Sequence, residues 1–203
     1  MTQQRDEAIL FLPGELGERA LRTRLIAGDD AAYRECYEHH APRLMRILVR
    51  ILRSTSWAEE ILQDTFIAAF RSISQFRGEV GLSSWLARIA TNRAYNAVRD
   101  ESRRRRNLPP HADEVVPGFE PQVEGRDLAR KVIAILDQMD PPKKLALLLQ
   151  AEGYTVAEIA EIAEEPRGTI LARLSRARAE LSLRMAGAGL VTDAIPTSLE
   201  NRS

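Results

Sequence analysis

Cysteine is almost missing from this sequence. Cys36 is the single one, so no internal disulfide can form, and a reducing compartment fits. Long hydrophobic runs are missing too. The longest near the start, Ala8 to Leu12, is closed by Pro13 and Gly14. It is too short for a signal-peptide core and far too short to span a bilayer, so a cytoplasmic protein is expected. There is no glycine-rich phosphate loop, no His-Glu-x-x-His and no nucleophile elbow, which leaves enzymatic activity without motif support. Strand-like alternation and Asn-Gly hairpin turns are also lacking. An excess of charge of one sign is the last absence, with 29 basic against 29 acidic side chains.

That balance hides an arrangement. From Ser83 to Arg106 stand seven arginines (Arg88, Arg93, Arg99 and Arg103 to Arg106) against Asp100 and Glu101. From Asn107 to Gly125 stand Asp113, Glu114, Glu120 and Glu124, with no Lys or Arg. Such segregation suits a partner with a strong field of its own. A chain of 203 residues holds one or two domains, each able to bury a core.

The periodic segments read as helix. Glu18 to Ala27 is a short amphipathic helix closed by Gly28, and Asp29 caps the next. That next helix carries Tyr33, Tyr37, Leu44, Leu48 and Ile51, and Pro42 is expected to kink or divide it near Ala41. Ser56-Trp57-Ala58-Glu59 has the pattern of a capping box. It opens a helix with Leu62, Phe66, Ala69 and Ile73 on one stripe. After Gly78 and Gly81, Ser83 or Ser84 is expected to cap a long helix running toward Arg106. Pro109, Pro110, Pro117 and Pro121 mark 107–125 as a linker. A second domain begins near Arg126. Leu128, Val132, Ile135 and Met139 form one face, Asp140-Pro141 starts a helix, and Leu145, Leu148 and Leu149 continue its core. Thr155 to Glu158 is a second capping box, and a helix starting near Gly168 turns Ile170, Leu174, Ala177 and Leu181 inward. The expected architecture is all-α. Residues 1–17 form an N-terminal extension, 18–106 a first domain, 107–125 a linker, 126–185 a second domain and 186–203 a flexible tail.

Two helical faces carry the chemistry. A short capped helix, a tight turn and a longer helix match a helix-turn-helix, with Arg167, Arg173 and Arg176 on the outer side. Arginine there contacts phosphates or the acceptors of guanine. In the first domain, Arg88, Asn92, Tyr95, Asn96 and Arg99 recur at intervals of three and four. Asparagine offers donor and acceptor to base edges, and an aromatic ring stacks on an opened base. Arg103 to Arg106 add phosphate neutralisation. Each face alone also describes a solvated helix surface. Cys36, His39 and His40 are metal-ligand types, but no fourth ligand is near, and neither metal nor cofactor is expected. Trp57 and Trp85 suit a core or hinge, and Glu59, Glu60 and Asp64 a solvated helix surface.

At this point the residues resemble the sigma-70 family of RNA polymerase sigma factors, in its small extracytoplasmic-function (ECF) group. The resemblance runs from about Arg24 to Met185. It rests on Ala58-Glu59-Glu60-Ile61-Leu62-Gln63-Asp64-Thr65-Phe66, on Phe76-Arg77-Gly78 and on Ser84-Trp85-Leu86-Ala87-Arg88-Ile89-Ala90-Thr91-Asn92. In the second domain it rests on Gly153 to Ala160, on Gly168-Thr169-Ile170 and on Arg173-Leu174-Ser175-Arg176-Ala177-Arg178. It implies sigma domain 2-like and domain 4-like units and three surfaces. Glu60, Gln63, Asp64 and Phe66 would dock on the clamp coiled coil of the polymerase largest subunit. Phe76, Arg77, Arg88, Asn92, Tyr95, Asn96 and Arg99 would read and melt the minus-ten element. Arg167, Gly168, Thr169, Leu171, Arg173 and Arg176 would read the minus-thirty-five element, near the polymerase flap. The implied partners are core polymerase, promoter DNA and an anti-sigma factor, often membrane-bound among relatives. The chain departs from the family at Glu164, where relatives carry glycine in the turn, at Leu171 and Ala172 on the recognition helix, and at Val156 and Ala157. Two rival readings remain at this stage: a helix-turn-helix regulator independent of polymerase, and a polymerase-binding antagonist.

Overall fold

The computed structural model describes residues 15–105 and 125–190. The linker, most of the N-terminal extension, Arg106 and residues 191–203 of the tail lie outside them. Among the described residues the architecture is all-α. A first group comprises α1 (Glu15–Ile26), α2 (Asp30–Leu52), α3 (Thr55–Ser72), a 3-10 turn (Ile73–Gln75) and α4 (Leu82–Arg105). A second comprises α5 (Gly125–Asp137), α6 (Pro141–Ala151), α7 (Val156–Ala163) and α8 (Arg167–Gly187).

Local signals set many of the boundaries. Gly28 takes φ +79° after α1, a conformation free of strain only without a Cβ. Asp29 then caps α2, its carboxylate accepting from the Ala31 N–H at 2.9 Å. Arg24 bonds the same carboxylate at 2.8 Å and Glu35 at 2.7 Å, tying α1 to α2. The Arg24 bond holds the Asp29 carboxyl below its usual range. In α7 the capping box from Thr155 is complete. Thr155 Oγ1 accepts from the Glu158 N–H at 3.2 Å, and Glu158 accepts from the Thr155 N–H at 2.7 Å.

Four local expectations are corrected. Helix α2 runs unbroken through Pro42. Proline in a helix interior costs about 3 kcal/mol, but Cys36, His40, Ala41, Leu44, Ile47 and Leu48 are buried on both sides of it. Burial of a large apolar side chain is worth about 1.5–3 kcal/mol, so packing outweighs the break. Helix α3 is capped by Ser54 rather than Ser56, because Arg53 already closes α2 in the left-handed region. Helix α4 begins at Leu82, before both candidate serines. Its first donor, the Leu82 N–H, is met by Glu18 of α1 at 3.3 Å. Leu128 is exposed, so the inward face of α5 is carried by Val132 and Ile135, with Met139 buried just past the helix.

The expected core residues Leu44, Leu48, Ile51, Leu62, Phe66, Ala69, Ile73, Leu148, Leu149, Ile170, Leu174 and Ala177 are buried, while Leu181 is half-buried. The two groups also touch. Helix α7 packs on α4 and α6 packs on α2, so one hydrophobic cluster continues from the first group into the second.

Candidate nucleic-acid interface

Helix α3 turns Ala58, Ile61, Leu62, Thr65, Phe66 and Ala69 inward. Its opposite side therefore exposes Glu60, Gln63 and Asp64 at intervals of three and one. Ile67, which the sequence reading passed over, extends that face with an exposed apolar side chain. Phe66 does not share it. It is buried against Tyr37 and Phe70, with ring centroids 4.8 and 5.6 Å away. Its place among the docking residues is corrected to a core position beneath them.

Helix α4 exposes Asn92, Asn96 and Arg99 along one stripe. Arg99 donates to the Asn96 side-chain carbonyl at 2.7 Å, which orients that amide. Arg93 lies 3.8 Å from Asp64, linking this helix to the α3 face. Arg77 is exposed in the preceding loop. Phe76 is buried, stacked on Trp85 at 4.8 Å, with the Arg22 guanidinium 5.6 Å from its ring. It supports the loop from below instead of facing a ligand, which corrects the expectation of direct contact. Arg88 and Tyr95 are engaged by the second group. Arg88 pairs with Glu164 at 3.1 Å, and the Tyr95 hydroxyl donates to the Pro141 carbonyl at 3.3 Å. Burial, with Asp140 nearby, pushes the Tyr95 hydroxyl up to about 12.

The turn between α7 and α8 is three residues long, and Glu164 occupies φ +55° there. Left-handed backbone costs a residue with a Cβ about 1–2 kcal/mol, the strain expected from a non-glycine at this position. Helix α8 exposes Arg167, Gly168, Leu171, Ala172 and Arg176, while Thr169 is half-buried. Leu171 is 57 % exposed. Arg173 is not free, because Glu165 holds it at 2.6 Å and its side chain is only 16 % exposed. The outer face of α8 thus offers one apolar contact, Leu171, and two exposed guanidinium groups, Arg167 and Arg176. The Arg176 Nε donates back to the Ala172 carbonyl at 3.2 Å.

A further set of residues lies where the two groups meet, and the sequence reading missed it. Arg43, Arg46 and Arg50 of α2 recur at intervals of three and four, so they share one side of the helix, and Arg53 follows just past its end. Arg43 Nε donates to the Glu152 carbonyl at 2.9 Å, and its guanidinium sits 3.4 Å over the Tyr154 ring. Arg46 meets the Glu152 carboxylate at 2.8 Å, and Arg50 meets its other oxygen. Arg53 pairs with Asp137. The Glu152 side chain is 5 % exposed. The three-and-four spacing of these arginines is visible in the sequence, but it shares its helix with the apolar stripe of Leu44, Leu48 and Ile51.

Cys36 and His40 point into the core, and His39 points out. Burial raises the Cys36 thiol to about 12 and lowers the His40 imidazole to about 4, the latter with help from His39 and Arg43. Among the described residues no group of three His, Cys, Asp or Glu side chains is placed to hold a metal, and no helix is long and apolar enough to cross a membrane.

The two helical groups coincide with two family models. Residues 36–104 match sigma-70 region 2, and residues 129–181 match sigma-70 region 4. The chain is 31% identical over 180 residues to the ECF RNA polymerase sigma-E factor of Haemophilus influenzae, covering 81% of this chain and 93% of that one. It is 28% identical to the RNA polymerase sigma-H factor of Pseudomonas aeruginosa, over 88% of this chain and 92% of that one. Among solved structures it resembles the sigma factor RpoE of Bartonella quintana, crystallised with the anti-sigma factor NepR. There the TM-score is 0.63 and the identity 25%, covering 74% of this chain and 94% of that one. It shares the fold of CnrH, solved with the cytosolic domain of CnrY, with a TM-score of 0.66 over 84% of this chain and 97% of that one. The fold and faces define a two-part helical transcription factor of the sigma-70 kind. The chain belongs to the sigma-70 family, in its ECF group of RNA polymerase sigma factors. That is a family of transcription initiation factors rather than a known enzyme family.

Proposed function

We propose that this chain binds core RNA polymerase through the exposed α3 face of Glu60, Gln63, Asp64 and Ile67. It then directs the enzyme to promoters read by Asn92 and Asn96 of α4. In this reading, residues 18–106 act as the core- and minus-ten-binding domain, 107–125 as the linker, and 126–185 as the minus-thirty-five-binding domain. The observation that carries it is the α4 stripe. Two exposed amides, one oriented by Arg99 at 2.7 Å, stand beside a docking face on the adjoining helix. Exposed amides of this kind suit unstacked bases. Arg77 and Arg99 supply phosphate contacts, and Arg88 and Tyr95 join them once the second group moves aside. In the second domain Arg167, Gly168, Thr169, Leu171 and Arg176 face duplex DNA, with Arg173 available after release from Glu165. An anti-sigma factor is the expected regulator, since a similar structure is a sigma factor crystallised with the anti-sigma factor NepR. Retention at a membrane would follow from that partner, with the chain itself in the cytoplasm.

Run-off transcription tests this, using core polymerase, the chain and DNA from upstream of its own gene. A discrete transcript is expected, lost in Asn92→Ala while polymerase binding persists. A second reading, a polymerase-binding antagonist, is favoured by the pairing of Arg173 with Glu165. It predicts polymerase binding with no transcript even from a randomised promoter library.

A further inference from the structure

Among the described residues, Arg53 and Glu164 are the two non-glycine residues with positive φ, at +60° and +55°. Each closes a helix where glycine would sit without strain. Each also extends its charge into the other half of the chain, Arg53 to Asp137 and Glu164 to Arg88. Strained backbone persists where surrounding interactions over-determine it, and it points to use. Here the shared feature is the junction between the two helical groups.

Four ion pairs across that junction draw their cations from the first group. Arg43, Arg46, Arg50 and Arg53 line α2, and Arg88 continues the line on α4. Every one of these five meets an acidic side chain or a carbonyl of the second group: Glu152 for the first three, Asp137 for Arg53 and Glu164 for Arg88. Charge does not balance within the stripe. Arg46, Arg50 and Arg53 face the carboxylates of Glu152 and Asp137, Arg43 meets only the Glu152 carbonyl, and Asp137 also holds Lys144 at 2.7 Å. From Arg43 to Arg53 the helix rises about 15 Å, a length along which one DNA strand presents about four phosphates at ~3.4 Å each. Guanidinium forks bind carboxylates and phosphates by the same geometry. The stripe also joins the base-reading helix directly, since Arg43 donates to Ser83 Oγ at the start of α4 at 3.3 Å.

We propose that Arg43, Arg46, Arg50 and Arg53, together with Arg88, form a nucleic-acid phosphate-binding surface whose charge Glu152, Asp137 and Glu164 partly neutralise when the two domains are closed. The proposal rests on the promoter-binding reading above and adds a site to it. Opening of the domains exchanges carboxylates for phosphates, so DNA and the second domain compete for one stripe. The same competition keeps the chain without polymerase a weak DNA binder.

The test uses holoenzyme assembled from core polymerase and the full chain, on a promoter fragment that the wild type transcribes. Promoter affinity is measured across a series of KCl concentrations. In the double variant Arg46→Ala, Arg50→Ala the slope of log affinity against log salt becomes shallower by about 1.4–1.8, two phosphates' worth, with core binding unchanged. Arg46→Lys, Arg50→Lys keeps the wild-type slope, which separates lost charge from lost structure. In the free chain, Glu152→Gln raises binding of a fluorescent 20-nucleotide single strand by about tenfold, as the competent fraction grows. An unchanged slope in the alanine variant overturns the proposal while leaving the sigma reading intact. Weakened core binding with an unchanged slope assigns the stripe to a protein partner instead, and also overturns it. A wild-type holoenzyme that forms but yields no promoter-dependent transcript overturns the underlying reading and this site with it.

Discussion

The two halves of the molecule meet with opposite charge and turn different chemistry outward. The first brings Arg43, Arg46, Arg50, Arg53 and Arg88 to the junction, and the second brings Asp137, Glu152 and Glu164. On their outward faces the first presents the amides of Asn92 and Asn96, whereas the second presents Leu171 and keeps Arg173 paired. A net charge of zero therefore describes no local surface. It is the sum of complementary patches that find each other in the closed chain. The difference also teaches where exposed amide hydrogen-bonding capacity is concentrated, namely in the first half.

The largest effect that bears on this comparison is in the cores. Leu48→Ala in the first half and Leu174→Ala in the second should each cost about 2–5 kcal/mol, since both side chains are buried. Both tryptophans, Trp57 and Trp85, lie in the first half. If the junction couples the halves, Leu174→Ala also shifts the denaturant midpoint followed by tryptophan fluorescence. An unmoved midpoint would show that the halves unfold separately.

Acid should then distinguish the halves. His40 is buried and lowered to about 4, and residues 125–190 contain no histidine. The unfolded chain binds a proton at this side chain below its ordinary value near 6.5, while the folded chain does so only near 4. Stability from this group is thus complete above pH 6.5 and is lost as pH falls toward 4, by up to about 3 kcal/mol. Urea titrations at pH 7, 5.5 and 4.5 should show the loss, and His40→Leu should flatten it.

Base reading is the next comparison. Asn92→Ala should lower promoter-dependent transcription about 10- to 100-fold, the cost of one lost bidentate contact, with core binding retained in a pull-down. A smaller effect belongs to the turn. Glu164→Gly removes left-handed strain and should raise the unfolding free energy by about 1 kcal/mol. Loss of the exposed Arg88 pair offsets that gain by about 0–1 kcal/mol. A net loss in thermal melting would mean that the junction contact outweighs the strain. The smallest effect concerns Leu171. Replacing thymine by uracil in the minus-thirty-five element removes one methyl, worth about 0.8 kcal/mol if buried. Wild-type affinity should fall severalfold and Leu171→Ala should be indifferent.

Much of this was legible in the residues. The motif from Ala58 to Phe66 and the complete capping box at Thr155 placed their helices, and the glycine positions marked ends. The face of Asn92 and Asn96 followed from spacing alone. Phe66 and Phe76 were misjudged because an aromatic in a functional motif does not declare which way it faces. The α4 start was misjudged because its cap comes from Glu18, 64 positions earlier. The arginine stripe was overlooked because its partners Glu152 and Asp137 lie 84 to 109 residues away.

The sequence by itself determined the all-helical class, the two-part organisation, the family and the exposed amide stripe. The family rests on its matched motifs; the others depend on periodicity, capping and turn chemistry, which act within about four residues. Only the tertiary structure decided that α2 continues through Pro42, that Arg88 and Arg173 are occupied, and that five arginines of one half face the acids of the other. These outcomes depend on burial and on charge pairing between distant segments. Such terms exist only once the chain has folded and chosen which faces to leave open.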